Sequence, residues 1–163
     1  QYSGHPGLRD GIAHHLGNAL VPQEEVYRHI AIAAPYLGLY EDLSLEQAVE
    51  FHARFKPLLP GIAPKDVARI AYLEKALHKQ VLHFSSGMKQ RLKLALAILS
   101  DTSLLLLDEP ASNLDAEATA WYRDLLRRHI GQRTLVVASN RQAAEHDLCT
   151  GVIEIGEYKN SGS

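Results

Sequence analysis

Four leucines run directly into two carboxylates at Leu104-Leu105-Leu106-Leu107-Asp108-Glu109, and Pro110-Ala111-Ser112-Asn113-Leu114-Asp115 follows. The apolar run is typical of a strand that is buried on both faces of a parallel sheet. Open α/β sheets bind ligands at the carboxyl ends of their strands, which is where Asp108 and Glu109 stand. A buried strand gains nothing in packing from two adjacent carboxylates, so the pair indicates a cation, a proton or a partner rather than a simple turn.

A second motif precedes this strand, at Phe84-Ser85-Ser86-Gly87-Met88. Either serine can cap a helix, and apolar residues then recur at helical spacing to about Leu99. A helix start that offers hydroxyls, backbone N–H groups and a glycine is able to bind an anion. Such a cap is more often structural when it stands alone, and its position before the acidic strand favours a functional role.

Taken together, these motifs resemble those of the ATP-binding subunits of ABC transporters. Residues 84–88 resemble a variant of the LSGGQ signature, residues 104–109 the Walker B strand, and residues 112–115 the D-loop. The three motifs follow in the order and spacing of that family. The resemblance extends over nearly the whole chain, from about Ser3 to Tyr158.

The resemblance implies an α/β fold, a P-loop NTPase-type parallel sheet with an inserted helical subdomain, here as an incomplete ABC ATPase domain. Residues 1–42 and 101–163 would carry the sheet, and residues 43–100 the helical subdomain that ends in the signature helix. Strands are expected at residues 30–34, 104–109, 134–138 and 152–155, and a hairpin remnant before residue 30. Helices are expected from a capping box at Ser44 to Lys56, from Pro64 to about Leu73, from the signature to about Leu99, and from Asp115 to His129.

The resemblance also implies a role for each motif residue. Asp108 would help to hold Mg²⁺ through a water, and Glu109 would activate the attacking water as general base. Ser85, Ser86 and Gly87 would contact the γ-phosphate of ATP bound to a second ATPase subunit, paired head to tail with the first. Asp115 would lie at the dimer seam, although a simple helix N-cap explains it equally well.

Two positions depart from the family pattern. Tyr36 occupies the place of the Q-loop glutamine, and a phenol is a poorer Mg²⁺ ligand than an amide oxygen. Asn140 occupies the place of the switch histidine, and an amide cannot share a proton as imidazole does. Both residues remain candidates for the ATP site, and together they predict slow or conditional hydrolysis.

The phosphate-binding motif GxxxxGK[ST] is absent, because no lysine in the sequence is followed by serine or threonine. One interpretation is a truncated product whose Walker A segment preceded Gln1, which would leave this chain inactive alone. The other is a natural subunit that has lost the motif and serves as a non-catalytic binding or regulatory module.

The composition bears on which other functional classes of protein remain possible. The 163 residues suit one domain, and a formal net charge of −2 gives no basic surplus for nucleic acid, which disfavours an ABC ATPase that acts on DNA or ribosomes. The single cysteine, Cys149, fits a reducing compartment, and the His14-His15 pair is interpreted as surface. The resemblance, which this composition does not oppose, implies an ATP-binding subunit at the cytoplasmic face of a membrane, held there by a transmembrane permease partner.

Overall fold

A three-stranded parallel sheet forms the centre of the computed structural model, which describes Pro22, residues 24–140 and residues 143–154. The strands are β1 (Ile30–Ala33), β2 (Leu104–Asp108) and β3 (Thr134–Ala138), and β2 lies in the middle. Ala33 pairs with Leu107, and Asp108 pairs with Ala138, so all three strands end at the same edge of the sheet. The predicted hairpin remnant and the His14-His15 pair lie outside the described residues.

Six α-helices accompany the sheet in the described part of the chain. They are α1 (Val26–His29), α2 (Leu45–Phe55), α3 (Pro64–Ile70), α4 (Ser86–Leu99), α5 (Ala116–His129) and α6 (Ala143–His146), with short 3₁₀ turns at Glu74–Ala76 and Val81–His83. Helix α4 packs against β1, α3 and α5, while α2 packs against α3. Between β1 and β2 the helices are joined by turns and irregular segments, and the β-pairing described there consists of isolated bridges, Ser44 with Gln80 and Leu58 with Ser100.

Local capping signals fix the helix starts. The Ser44 hydroxyl accepts from the Gln47 N–H, and the Gln47 side chain accepts from the Ser44 N–H, so the predicted capping box is present. Asp115 caps α5, which runs to His129 as predicted, and Gly131 follows with a φ of +56°. Helix α3 is shorter than predicted, because Tyr72 adopts a left-handed φ of +58° and ends the helical path before Leu73.

The sheet is covered unevenly, which corrects the expectation that β2 is buried on both faces. Leu105 and Leu107 are fully buried, whereas Leu104 and Leu106 are only partly buried. On the Leu106 face, the paired residues Ile32 and Val136 are about half exposed, at 48% and 50%. The core thus lies on one side of the sheet, where α4 packs.

The expected last strand is wrong in the part that the structure describes. Val152, Ile153 and Glu154 adopt no regular structure, and Val152 and Ile153 are mostly exposed. Ile155, the end of that predicted strand, lies outside the described residues. An apolar run marks a strand only where a neighbouring strand is available to pair with it, and the sequence pattern does not report on that neighbour.

Candidate active site

The carboxylate pair lies where β2 ends, and its two residues have different backbone conformations. Asp108 is the last residue of the strand and still pairs with Ala138. Glu109 follows with a φ of +42°, a left-handed conformation that costs a residue with a Cβ about 1–2 kcal/mol. The Glu109 N–H nevertheless donates to the Ala138 carbonyl at 2.9 Å. This turn releases Glu109 from strict strand alternation, so the two carboxylates can serve separate purposes.

Glu109 and Asn140 are brought into direct contact. The Asn140 Nδ2 group donates to Glu109 Oε1, which joins the segment after β2 to the segment after β3. Both residues were singled out from the sequence 31 positions apart, and the parallel register brings them to one edge. An amide that donates to one carboxylate oxygen holds the side chain in place and leaves the other oxygen able to accept a proton.

The signature motif forms the start of α4. The Ser85 hydroxyl accepts from the Met88 N–H at 3.2 Å, and both Ser85 and Ser86 are exposed. A Cβ added at Gly87 would lie 3.2 Å from the Asn113 carbonyl oxygen, so the D-loop passes close to the signature glycine of the same chain. Asn113 itself has a φ of +61°. The exposed start of α4 and the D-loop therefore form one continuous surface.

Asp115 acts as the N-cap of α5, since its Oδ1 accepts from the Ala118 N–H at 2.7 Å. Its side chain is exposed at the end of the D-loop. The capping role that the sequence allowed is thus present, and a role at a dimer seam stays a prediction.

Tyr36 lies just beyond the end of β1 and is 77% exposed. The segment before it is held from α4, because Lys93 Nζ donates to the carbonyls of Ala34 at 3.3 Å and Pro35 at 2.8 Å. Burial, and secondarily the charge of Lys89, lower the pKa of Lys93. The strand register brings Tyr36 to the same edge as the carboxylates after β2, and among the described residues no hydrogen bond joins Tyr36 to them.

Two buried polar residues near the pair were missed by the sequence reasoning. Gln90 on α4 is 3% exposed and donates to the Pro110 carbonyl, and Glu145 on α6 is 2% exposed and accepts from the Ala111 N–H. Gln90 left a signal, since it shares a helix face with Leu94 and is the polar member of that apolar face. Glu145 left none, because its partner lies 34 residues away.

Comparison with protein families identifies the chain. The family model described as ABC transporter matches residues 12–112, which is more than half of the sequence. The chain belongs to the ABC transporter ATP-binding family. Its parallel sheet with flanking helices is the P-loop NTPase-type fold of ABC ATPases, and it aligns with the structure of an ATP-binding subunit of an ABC transporter at a TM-score of 0.63. That alignment covers 84% of this chain and 65% of the other at 23% identity, so it concerns the fold alone.

Curated relatives are longer than this ABC domain. The chain is similar to the ABC transporter ATP-binding protein ARB1 of Saccharomyces cerevisiae, with 32% identity over 74% of this chain and 18% of that protein. It is also similar to the uncharacterized ABC transporter ATP-binding protein YcbN of Bacillus subtilis, with 34% identity over 77% and 42%. Human phospholipid-transporting ATPase ABCA3 matches with 29% identity over 85% and 8%. The chain thus spans less than half the length of each of these relatives.

Proposed function

We propose that this ABC domain is the ATP-binding part of a transporter and couples ATP binding and hydrolysis to movement of a substrate across a membrane. The observation that carries the proposal is the strained Glu109 turn at the end of β2, with the Glu109 carboxylate in contact with Asn140. A carboxylate held by an amide beside a second, partly exposed carboxylate suits the activation of water in phosphoryl transfer. Glu109 would be the general base, and Asn140 would orient it.

Mg²⁺ and ATP are the cofactors that this arrangement would use. Asp108 is partly exposed at the carboxyl end of β2, and an Asp that binds Mg²⁺ through water suits an ion that keeps several of its waters. Within the described residues, no group of three or more Asp, Glu, His or Cys could hold a metal, so phosphate oxygens and water would complete the shell. Bound Mg²⁺ would neutralise charge on the transferred phosphate.

A second ATPase subunit would complete the site. Ser85 and Ser86 are exposed at the N-terminus of α4, and Gly87 lies beside the D-loop. Exposed hydroxyls and N–H groups at a helix start suit a phosphate carried by a partner, paired head to tail. Asp115 would then lie at the seam between the subunits, next to the same surface.

A transmembrane permease subunit is the second proposed partner. None of the helices in the described ranges has the length and apolar composition needed to cross a bilayer. An apolar groove of about 290 Å³ lies between β1, α2 and α4, and Tyr40 and Phe55 on its lining are 63% and 58% exposed. Exposed aromatic side chains of this kind suit an apolar segment of a permease. The domain would then act at the cytoplasmic face of the membrane.

The test is ATP hydrolysis and nucleotide binding by the intact polypeptide in which this sequence occurs. Glu109→Gln should lower the turnover by about 10²–10⁴-fold and leave nucleotide binding in place, because only the general base is lost. Glu117→Gln is the matched control, since Glu117 is exposed in the first turn of α5. Equal turnover in the two variants would refute the role of Glu109.

The alternative is a non-catalytic ABC-type binding or regulatory subunit. Tyr36 and Asn140, at the places of the Q-loop glutamine and the switch histidine, favour it. Nucleotide binding without hydrolysis in the intact polypeptide, or no binding at all, would make this alternative the better account.

A further inference from the structure

The peptide unit between Pro110 and Ala111, just before the D-loop, is held by buried side chains from opposite sides. The Pro110 carbonyl accepts from Gln90 Nε2 at 3.0 Å, and the Ala111 N–H donates to Glu145 Oε1 at 3.0 Å. These two groups belong to the same peptide, and in a trans peptide the C=O and N–H point in opposite directions. The Pro110–Ala111 peptide, the second peptide after Glu109, is therefore fixed between α4 and α6.

Glu145 has a second contact that reaches the segment after β3. Its Oε2 accepts from the Ser139 hydroxyl, and Ser139 immediately precedes Asn140. Its backbone carbonyl accepts from the Tyr122 hydroxyl at 2.9 Å. Burial raises the pKa of Tyr122, so the phenol remains a donor. Helix α6 is thus anchored to α5, while the Glu145 carboxylate joins the two segments that carry Glu109 and Asn140.

Burying a carboxylate is costly unless its oxygens are hydrogen-bonded, and Glu145 is among the most buried side chains described. Each of its oxygens has a partner in this arrangement. An apolar residue in its place would leave the buried Ala111 N–H without its acceptor. The carboxylate is therefore explained by the two polar groups that it joins rather than by packing.

We propose that Glu145 is a positioning residue, which together with Gln90 fixes the Pro110–Ala111 peptide and thereby sets the orientation of Glu109 toward Asn140. Its effect on hydrolysis rests on the proposed function, whereas its effect on the Pro110–Ala111 peptide does not. Loss of Glu145 would release the peptide on the α6 side and loosen Ser139 at the same time.

Amide hydrogen exchange in the intact polypeptide tests the positioning directly. Glu145→Met keeps the approximate length of the side chain and removes both acceptors, and it should speed exchange of the Ala111 amide by about tenfold relative to amides within α5. In Glu145→Gln, the side-chain oxygen can still accept from the Ala111 N–H, and the NH₂ group can donate to the Ser139 hydroxyl. This variant should therefore recover most of the protection of the Ala111 amide against exchange. Ile98→Val removes one buried carbon from the core at α4 and serves as the control for general loss of stability.

Unchanged Ala111 exchange in Glu145→Met, or equal exchange in the Met and Gln variants, would overturn the proposal. Should Glu145→Met not fold, Gln90→Met releases the other side of the same peptide and should speed Ala111 exchange more than Ile98→Val does. Equal exchange in those two variants would overturn it as well.

The kinetic consequence is a fall in kcat for ATP hydrolysis in Glu145→Met, with the KM for ATP changed less than twofold and kcat recovered in Glu145→Gln. A kcat in Glu145→Met equal to that of the parent would overturn the link to Glu109. If the parent protein hydrolyses no ATP, the proposed function fails, and the exchange rates still decide whether Glu145 holds the Pro110–Ala111 peptide.

Discussion

Lowering the pH from 7 to 5 should destabilise the domain through His52. The His52 Nε2 atom lies 2.8 Å from Ser100 Oγ, at the end of α4. The Ser100 hydroxyl donates to the Leu96 carbonyl at 2.6 Å, so His52 must supply the proton of its own bond to Ser100. A neutral ring protonated at Nε2 satisfies this geometry. Burial first, and then the charge of Lys56, lower the pKa of His52 to about 4.

The magnitude follows from the difference between the folded and unfolded pKa values. In the unfolded chain the imidazole has a pKa of about 6.5, so between these values the unfolded state binds more protons than the folded state. Stability is therefore retained above pH 6.5 and is lost as the pH falls toward 4. Linkage gives a loss of about 2 kcal/mol between pH 7 and pH 5. For a domain of this size, that loss lowers Tm by roughly 4–8 °C.

Thermal or urea unfolding at pH 7 and pH 5 measures this loss, and His52→Gln isolates it. Glutamine keeps an N–H donor for Ser100 and does not titrate, so its loss between the two pH values should be smaller by about 2 kcal/mol. The control is His78→Gln, since His78 is exposed beside Glu46 at 3.4 Å. If the parent and His52→Gln lose the same stability between pH 7 and pH 5, the reasoning about His52 is refuted.

Three further predictions concern the candidate site. Asn140→His should raise ATP turnover in the intact polypeptide, because imidazole can share a proton with the reacting groups, and an unchanged kcat would contradict this. Asp115→Ala should lower the free energy of unfolding by about 1 kcal/mol through loss of the cap on Ala118, as measured by urea denaturation. Gly87→Ala should change the free energy of unfolding by less than about 1 kcal/mol. The better helix propensity of alanine is offset because its Cβ would lie 3.2 Å from the Asn113 carbonyl oxygen. A full stabilisation of about 1 kcal/mol in urea unfolding would contradict that contact.

Elements with local signals could be predicted from the sequence. The capping box at Ser44 and the cap at Asp115 each place a hydrogen bond within three residues, so their chemistry is visible in a short window. The apolar runs of β2 and β3 were likewise sufficient to identify strands. The contact between Glu109 and Asn140 was not predicted, because it depends on β2 and β3 being neighbours in the sheet.

Features that depend on distant partners could not be predicted in this way. The apolar residues Val152 and Ile153 read as a strand, yet their conformation depends on pairing that no local pattern encodes. The end of α3 is set by a left-handed tyrosine, Tyr72, whose ring lies 6.5 Å from that of Trp121 on α5. Glu145 is explained by a partner 34 residues away, the Ala111 N–H, which no short stretch of sequence reports.

The left-handed backbone of Glu109 should have a measurable effect on the stability of variants at this position. Such a conformation persists only when surrounding bonds determine it. Here the N–H of Glu109 donates to the Ala138 carbonyl, and the Pro110–Ala111 peptide is bound to Gln90 and Glu145. Glu109→Ala removes the carboxylate and keeps a Cβ, whereas Glu109→Gly removes both. The glycine variant should therefore be more stable than the alanine variant by about 1 kcal/mol in urea unfolding, although both lack the general base. An alanine variant as stable as the glycine variant would contradict a strained turn, and the separation of Asp108 from Glu109 would then need a different physical cause.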